Sequence, residues 1–154
     1  MSRGCQSLIS TKVEIDPLLE GLNKSAVILI IKNVLESEGI QDASISFIFG
    51  SDELLSGLKK EFFNKNQWTD VIAFRMNDYE EEVVEGEIYI SIPRAKENAN
   101  KFNEPFAKEI GRLIIHGGLH LLNYDDQTTV DKKVMRGKED EYLQHCKWEN
   151  LIDE

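Results

Sequence analysis

Hydrophobic residues along this chain change their spacing several times, and each change marks an element. From Ser7 to Asp16 they alternate weakly with polar ones, which predicts a first strand stopped by Pro17. Ser25 then reads as the N-cap of a helix through Ala26-Val27-Ile28-Leu29-Ile30-Ile31 to about Ser37, with Gly39 just beyond it. Ala43 to Phe49 returns to a period of two, with Ile45, Phe47 and Phe49 on one face of a strand. Ser51-Asp52-Glu53 opens a second helix, to about Phe63. Thr69 to Arg75 predicts a short strand, with Val71 and Ala73 opposite Ile72 and Phe74. The acidic stretch Asp78 to Glu82 reads as a solvated loop. Gly86 to Ile92 is the clearest strand: Ile88, Ile90 and Ile92 point one way, Glu87, Tyr89 and Ser91 the other, and Pro93 ends it. Short helical turns follow Arg94. A long helix is expected from about Pro105 to Leu122, and a last one from about Val130 to Cys146.

This order places strands in both hairpin and crossover settings. It predicts an α/β (α+β) fold, with helices packed on one small mixed sheet and the Pro105–Leu122 helix central. A length of 154 residues suits one domain, 1–154, with a real core. No apolar run approaches a membrane span, and the start, Met1-Ser2-Arg3-Gly4-Cys5, lacks a secretory pattern, so a cytoplasmic protein without a membrane partner is expected. Cys5 and Cys146, at opposite ends, read as free thiols rather than a disulfide framework. The net charge of −10 argues against non-specific nucleic-acid binding, DNA included. It leaves room for an RNA substrate held by a local basic patch or a metal. Lys59, Lys60, Lys65, Arg75, Arg94, Lys96, Lys101 and Arg112 are the basic positions available for that.

The chemistry concentrates in Ile114-Ile115-His116-Gly117-Gly118-Leu119-His120-Leu121-Leu122-Asn123-Tyr124-Asp125-Asp126. On a helix, His116 and His120 lie at i and i+4 on one face, close enough to share a metal ion. Asp126, just past the helix end, would close a third corner and leave the fourth for water. At ~100° per residue, Glu109, Arg112, His116 and His120 share one polar stripe on a helix otherwise apolar nearly all round. A polar stripe on a buried helix needs a reason to exist. Gly117 and Gly118 cost about 1 kcal/mol each in a helix and make sense where another backbone or a substrate comes close. The plain alternative is two histidines satisfied by neighbouring groups. Gly117 also stands where an H-E-x-x-H helix has its general-base glutamate, so any base comes from elsewhere.

The segment His116 to Asp126 resembles the signature of the YbeY family, single-strand-specific endoribonucleases that mature ribosomal RNA, whose motif is H-G-x-L-H-L-x-G-Y-D-H. His116, Gly117, Leu119, His120, Leu121, Tyr124 and Asp125 stand in register with it. Upstream, Trp68-Thr69-Asp70-Val71-Ile72-Ala73-Phe74 is similar to the family's P-T-D-V-L-S-F strand, and Gly86-Glu87-Ile88-Tyr89-Ile90 to its G-D-I strand; Met135 and Glu139 also fit. The resemblance spans roughly residues 43 to 145. It implies a compact α/β fold, a cytoplasmic location, a zinc-like ion in a cleft, and a role in processing the 3′ end of small-subunit ribosomal RNA on the ribosome. His116 and His120 carry over directly as ligands.

Three departures matter. The third family ligand, a histidine, is Asp126 here; Asn123 replaces the motif glycine; and an ungapped alignment sets Phe63 where the family has a functional arginine. Carboxylates are legitimate zinc ligands, but one reduces the ion's net charge and makes its water less acidic. The harder oxygen also opens the site to manganese. His145, on the last helix, is the rival third ligand. Arg112, which shares the histidine stripe one turn upstream, and Lys65, in the same loop as Phe63, are the cations that could take over a phosphate contact, with an ion pair to Glu109 or a neighbouring acid as the ordinary reading of Arg112. Asp70 reads as a strand–loop junction residue. Asp125 is the candidate for orienting a histidine ligand or the water. Three functions stay open: a metal-dependent endoribonuclease on single-stranded RNA; a ribosome-associated RNA- or protein-binding factor with a structural metal and little catalysis; or hydrolysis of another ester or amide, since the ion alone does not choose a phosphodiester.

Overall fold

The computed structural model describes residues 8–16, 21–64 and 69–152. Four strands form one mixed sheet: β1 (Leu8–Ile15), β2 (Asp42–Gly50), β3 (Val71–Arg75) and β4 (Val84–Ser91), in the order β1-β2-β4-β3. β1 and β4 both run parallel to β2, and β3 pairs antiparallel with β4, Ala73 facing Ile88. Alternation in β2 follows its pleat: Ala43, Ile45, Phe47 and Phe49 are buried, and the residues between them are not. The sheet therefore has one core face, as expected of helices packed on a small mixed sheet.

Helices α1 (Lys24–Ser37) and α4 (Phe106–Leu121) supply much of that core, with α2 (Asp52–Phe63), α3 (Ile92–Phe102) and α5 (Thr129–His145) around them. α4 packs against α1, α3, α5, β3, β4 and a closing 3-10 turn, Trp148–Leu151. Two of its three glycines show how one helix touches so much. A Cβ on Gly117 would stand 2.7 Å from the Ile88 side chain on β4, and one on Gly118 would stand 2.7 Å from Ile31 on α1. The close approach expected there is thus to isoleucine side chains, not to a backbone or a substrate.

Several boundaries move, each for a local reason. Asn23, not Ser25, caps α1: its Oδ1 accepts from the Ser25 and Ala26 backbone N–H groups. β4 begins at Val84, before Gly86, and its Met76–Glu85 backbone link turns the chain back from β3. Pro93 does more than end a strand. It sits in the first turn of α3, where its missing N–H costs nothing, and Ser91 Oγ caps that helix by accepting from the Arg94 N–H. The short turns expected after Arg94 are a full helix because Ile92, Ala95 and Ala99 line one buried side. α5 starts at Thr129 under a Thr128 cap. Cys146 is a free thiol, while Cys5, Lys65 and Trp68 lie outside the described residues.

Candidate metal centre

The last turns of α4 present the two histidines, and the turn that follows folds the chain back over them. Leu122 closes the helix, Asn123 takes a left-handed conformation (φ 72°), and the Tyr124 N–H donates to the Leu119 carbonyl at 3.1 Å. The motif glycine is thus replaced by one of the few L residues that tolerate this conformation. Two anchors hold the turn. Tyr124 donates its hydroxyl to Glu38 at 2.6 Å, and Glu38 also binds Lys138 at 3.1 Å and accepts from the Tyr142 hydroxyl. Arg75 donates to the Leu121 carbonyl at 2.8 Å, placing a cation at the negative end of α4.

The consequence is convergence of three donor atoms. His116 Nε2 and His120 Nε2 are 3.0 Å apart, and Asp126 Oδ2 lies 3.5 Å from each. Ligands at zinc-like bond lengths around a tetrahedral centre stand about 3.3 Å apart. The observed spacings bracket that value. The donor chemistry fits as well. Glu139 Oε2 lies 2.7 Å from His116 Nδ1, so that nitrogen carries a proton and Nε2, facing His120, is the atom left to take a cation. Two ring nitrogens at this separation repel unless a proton or cation lies between them. Among the described residues, His116, His120 and Asp126 are the group able to hold a metal ion.

The electrostatics follow from the same contacts. Burial alone would push the His116 imidazole below its usual range, but the hydrogen bond and charge of Glu139, with Asp126 beyond, outweigh it and hold the ring's pKa up. His120 goes the other way: burial and the neighbouring His116 lower it. Burial likewise raises the Glu109 carboxyl, against the Asn98 amide and Arg112.

The site lines two clefts. One, of about 450 Å³, brings His116, His120 and Asp126 together with Lys59, Phe63 and the edge of β3. The other, of about 660 Å³, runs from His116 and Asp126 to Lys132 and Arg136 on α5. Arg112 is one turn upstream of His116. Its guanidinium binds Glu139 at 2.9 Å and Asp140 at 3.2 Å, with Glu109 at 3.9 Å. Asp125 is exposed and turns its carboxylate onto the Asp126 N–H, 2.8 Å away. It steadies the ligand loop and does not touch a ring. Asp70 reaches α3: it accepts from the Asn98 amide at 2.9 Å, which also donates to Glu109 at 3.1 Å. His145 is exposed at the end of α5, beside α1 and apart from the other histidines.

Glu139, Lys132 and Arg136 carry most of what the residue pattern did not assign. Glu139 fits the family pattern without revealing its contact. Lys132 and Arg136 are i and i+4 on α5, a legible stripe, but nothing in the pattern says what that stripe faces.

A family profile described as Endoribonuclease YbeY matches residues 12–147. The chain belongs to the YbeY family. Endoribonuclease YbeY of Flavobacterium psychrophilum is 38% identical over 136 residues, covering 88% of this chain and 94% of that one. Endoribonuclease YbeY of Christiangramia forsetii is 40% identical over 113 residues, covering 73% and 78%. A solution structure of a Thermotoga maritima protein superposes with a TM-score of 0.58 at 28% identity, covering 89% of this chain and 87% of that one. The YbeY membership agrees with the α/β architecture and with the histidine motif on α4.

Proposed function

We propose that this chain is a divalent-metal-dependent endoribonuclease that hydrolyses single-stranded RNA. Its substrate is the 3′ region of small-subunit ribosomal RNA, in the cytoplasm and on the ribosome, as its YbeY membership suggests. The observation that carries the reading is the spacing of the His116, His120 and Asp126 donors at the wall of an open cleft. A structural zinc site is closed by four protein ligands. Three donors beside a cleft suit a site that exchanges its fourth ligand.

A zinc ion, or manganese, bound there supplies Lewis acidity and an acidified water at neutral pH. The chain's own groups do the rest. Glu139 fixes the His116 tautomer and ring orientation, and Arg112 holds Glu139 in place. Asp125 holds the backbone of Asp126. Lys132 and Arg136 meet phosphates of the bound strand. Arg75 and Arg94 are committed elsewhere, to the α4 terminus and to Asp52 and Glu97.

The test is cleavage of an end-labelled single-stranded RNA by zinc-loaded protein, with and without chelator. Cleavage that chelator abolishes, zinc restores and His116→Ala eliminates is the expected result. Metal-loaded protein that leaves RNA intact, or a His116→Ala variant as active as the parent, overturns the proposal. A structural-metal binding factor would bind the RNA and leave it whole.

A further inference from the structure

Helix α2 ends beside the metal centre, and it ends on two aromatic residues that the core does not use. Leu55 anchors the helix to the rest of the molecule, whereas Phe62 and Phe63 remain 60% and 42% exposed. Neither ring is loose. Phe63 stacks on Phe74 of β3, with centroids 5.8 Å apart and planes 20° apart; Phe62 meets the same ring edge-on at 5.3 Å; and Phe74 rests edge-on against Tyr89 of β4 at 5.8 Å. The sheet therefore supports a fixed aromatic shelf, and Phe63 is the member that lines the cleft of His116, His120 and Asp126. Lys59, one turn back on α2, holds its ammonium 4.9 Å from the Phe63 ring centroid.

A flat, half-exposed ring backed by Phe74 at the wall of the metal-site cleft, with a cation beside it, suits a planar aromatic group attached to an anion. We propose that Phe63 is the stacking platform for one unpaired base of the RNA strand that crosses the metal centre, with Lys59 passing to the adjoining phosphate. This rests on the nuclease reading above. Stacking is tolerant of sequence because every base has a π-face. An exposed lysine–ring contact is weaker than a base stack, so the base displaces the ammonium and does not compete with it on equal terms. Selection for single strands follows, because a base already stacked and paired in a duplex has no free face to offer.

The test uses the full chain in two measurements. Binding is followed by anisotropy with a fluorescein-labelled single-stranded RNA and with an all-abasic strand of equal length, chelator present so that nothing is cut. Cleavage of the same RNA by zinc-loaded protein gives kcat and KM. One base stack is worth roughly 5- to 160-fold in affinity. Phe63→Ala and Phe63→Leu are therefore expected to bind the RNA about tenfold more weakly and Phe63→Trp as tightly as the parent, with all four alike on the abasic strand. In the cutting assay Phe63→Ala raises KM by a similar factor and leaves kcat within about twofold. Phe63 is half exposed, so unchanged thermal melts exclude a folding defect. Phe63→Ala binding RNA like the parent, or Phe63→Leu restoring what alanine loses, overturns the stacking site while a parent that cleaves RNA keeps the nuclease. A parent that neither binds nor cleaves RNA removes both.

Discussion

Replacing Glu139 by glutamine tests how the metal centre is held. The carboxylate is 5% exposed and serves two donors, Nδ1–H of His116 at 2.7 Å and Nη1–H of Arg112 at 2.9 Å. Glutamine keeps the shape but has one oxygen and one NH₂. Arg112 has donors only, so it claims the oxygen. The NH₂ then faces His116 Nδ1, and the ring answers by moving its proton to Nε2, the atom that must ligate. The opposite amide orientation sets NH₂ against the guanidinium. One contact is lost either way. Changes to a partner of a ligating histidine cost about 10- to 100-fold in metal affinity, or roughly 1.4 to 2.7 kcal/mol. Zinc affinity, read by competition with a chromophoric chelator at pH 8, should fall by that factor. Asp140→Asn is the control, since Asp140 touches Arg112 and not the ring; it should leave zinc binding unchanged. A Glu139→Gln protein within about twofold of the parent refutes the reasoning, because the second-ligand effect it predicts is at least tenfold. The pH dependence has a definite sign. Glu139 raises the His116 pKa, so in the stripped protein the pair stabilises fully below the ring's unfolded value of about 6.5 and is lost as pH rises through the folded value. Zinc must displace that proton, so binding weakens as pH falls, beginning at higher pH in the parent than in Glu139→Gln.

The remaining expectations concern charge, anchoring and packing. Asp126→His should remove the ligand's negative charge and so raise the net charge at the ion, shifting the acid limb of the pH–rate profile down by on the order of one unit, inside the ~2-unit span between protein-tuned and aqueous zinc water; an unmoved limb counts against a carboxylate ligand. Glu38→Gln should cost about 2 kcal/mol near neutral pH through weakened bonds to Tyr124, Tyr142 and Lys138. Burial opposes the shift, but those three donors hold Glu38 below its usual pKa of 4.5, so the gap between parent and variant closes as pH falls through the folded value in urea melts. Lys132→Ala with Arg136→Ala should lower the slope of log affinity against log salt for single-stranded RNA by about 1.4, as two lost phosphate contacts require; an unchanged slope places the strand elsewhere. Gly117→Ala should be destabilising, since overpacking against fully buried Ile88 costs about 1–3 kcal/mol and exceeds the ~1 kcal/mol gained in helix propensity. Gly118→Ala should cost less, because it meets the flexible end of Ile31.

Much of this protein was legible in residue order. Period-two runs mark β2, β3 and β4, and the apolar girth of the segment from Pro105 to Leu122 marks α4 as central without reference to any contact. The i, i+4 histidines and the trailing Asp126 are near neighbours in sequence, joined by one helix and one turn. Local geometry therefore brings them together, which is why a motif could announce them. Helix α3 escaped because Pro93 reads as a stop, although the same residue is at home in a first turn once Ser91 caps it. What tertiary structure alone decided are the partnerships across elements. Glu139 meets His116 from 23 positions away, Glu38 meets Tyr124 from 86, and Phe63 reaches the cleft only because α2 ends beside β3. No period along a chain encodes which stripe of α5 faces which stripe of α4. That choice is made by packing, where burying Met135, Tyr142 and Leu143 turns Glu139 inward and leaves its carboxylate to be satisfied by the one ring and one guanidinium within reach.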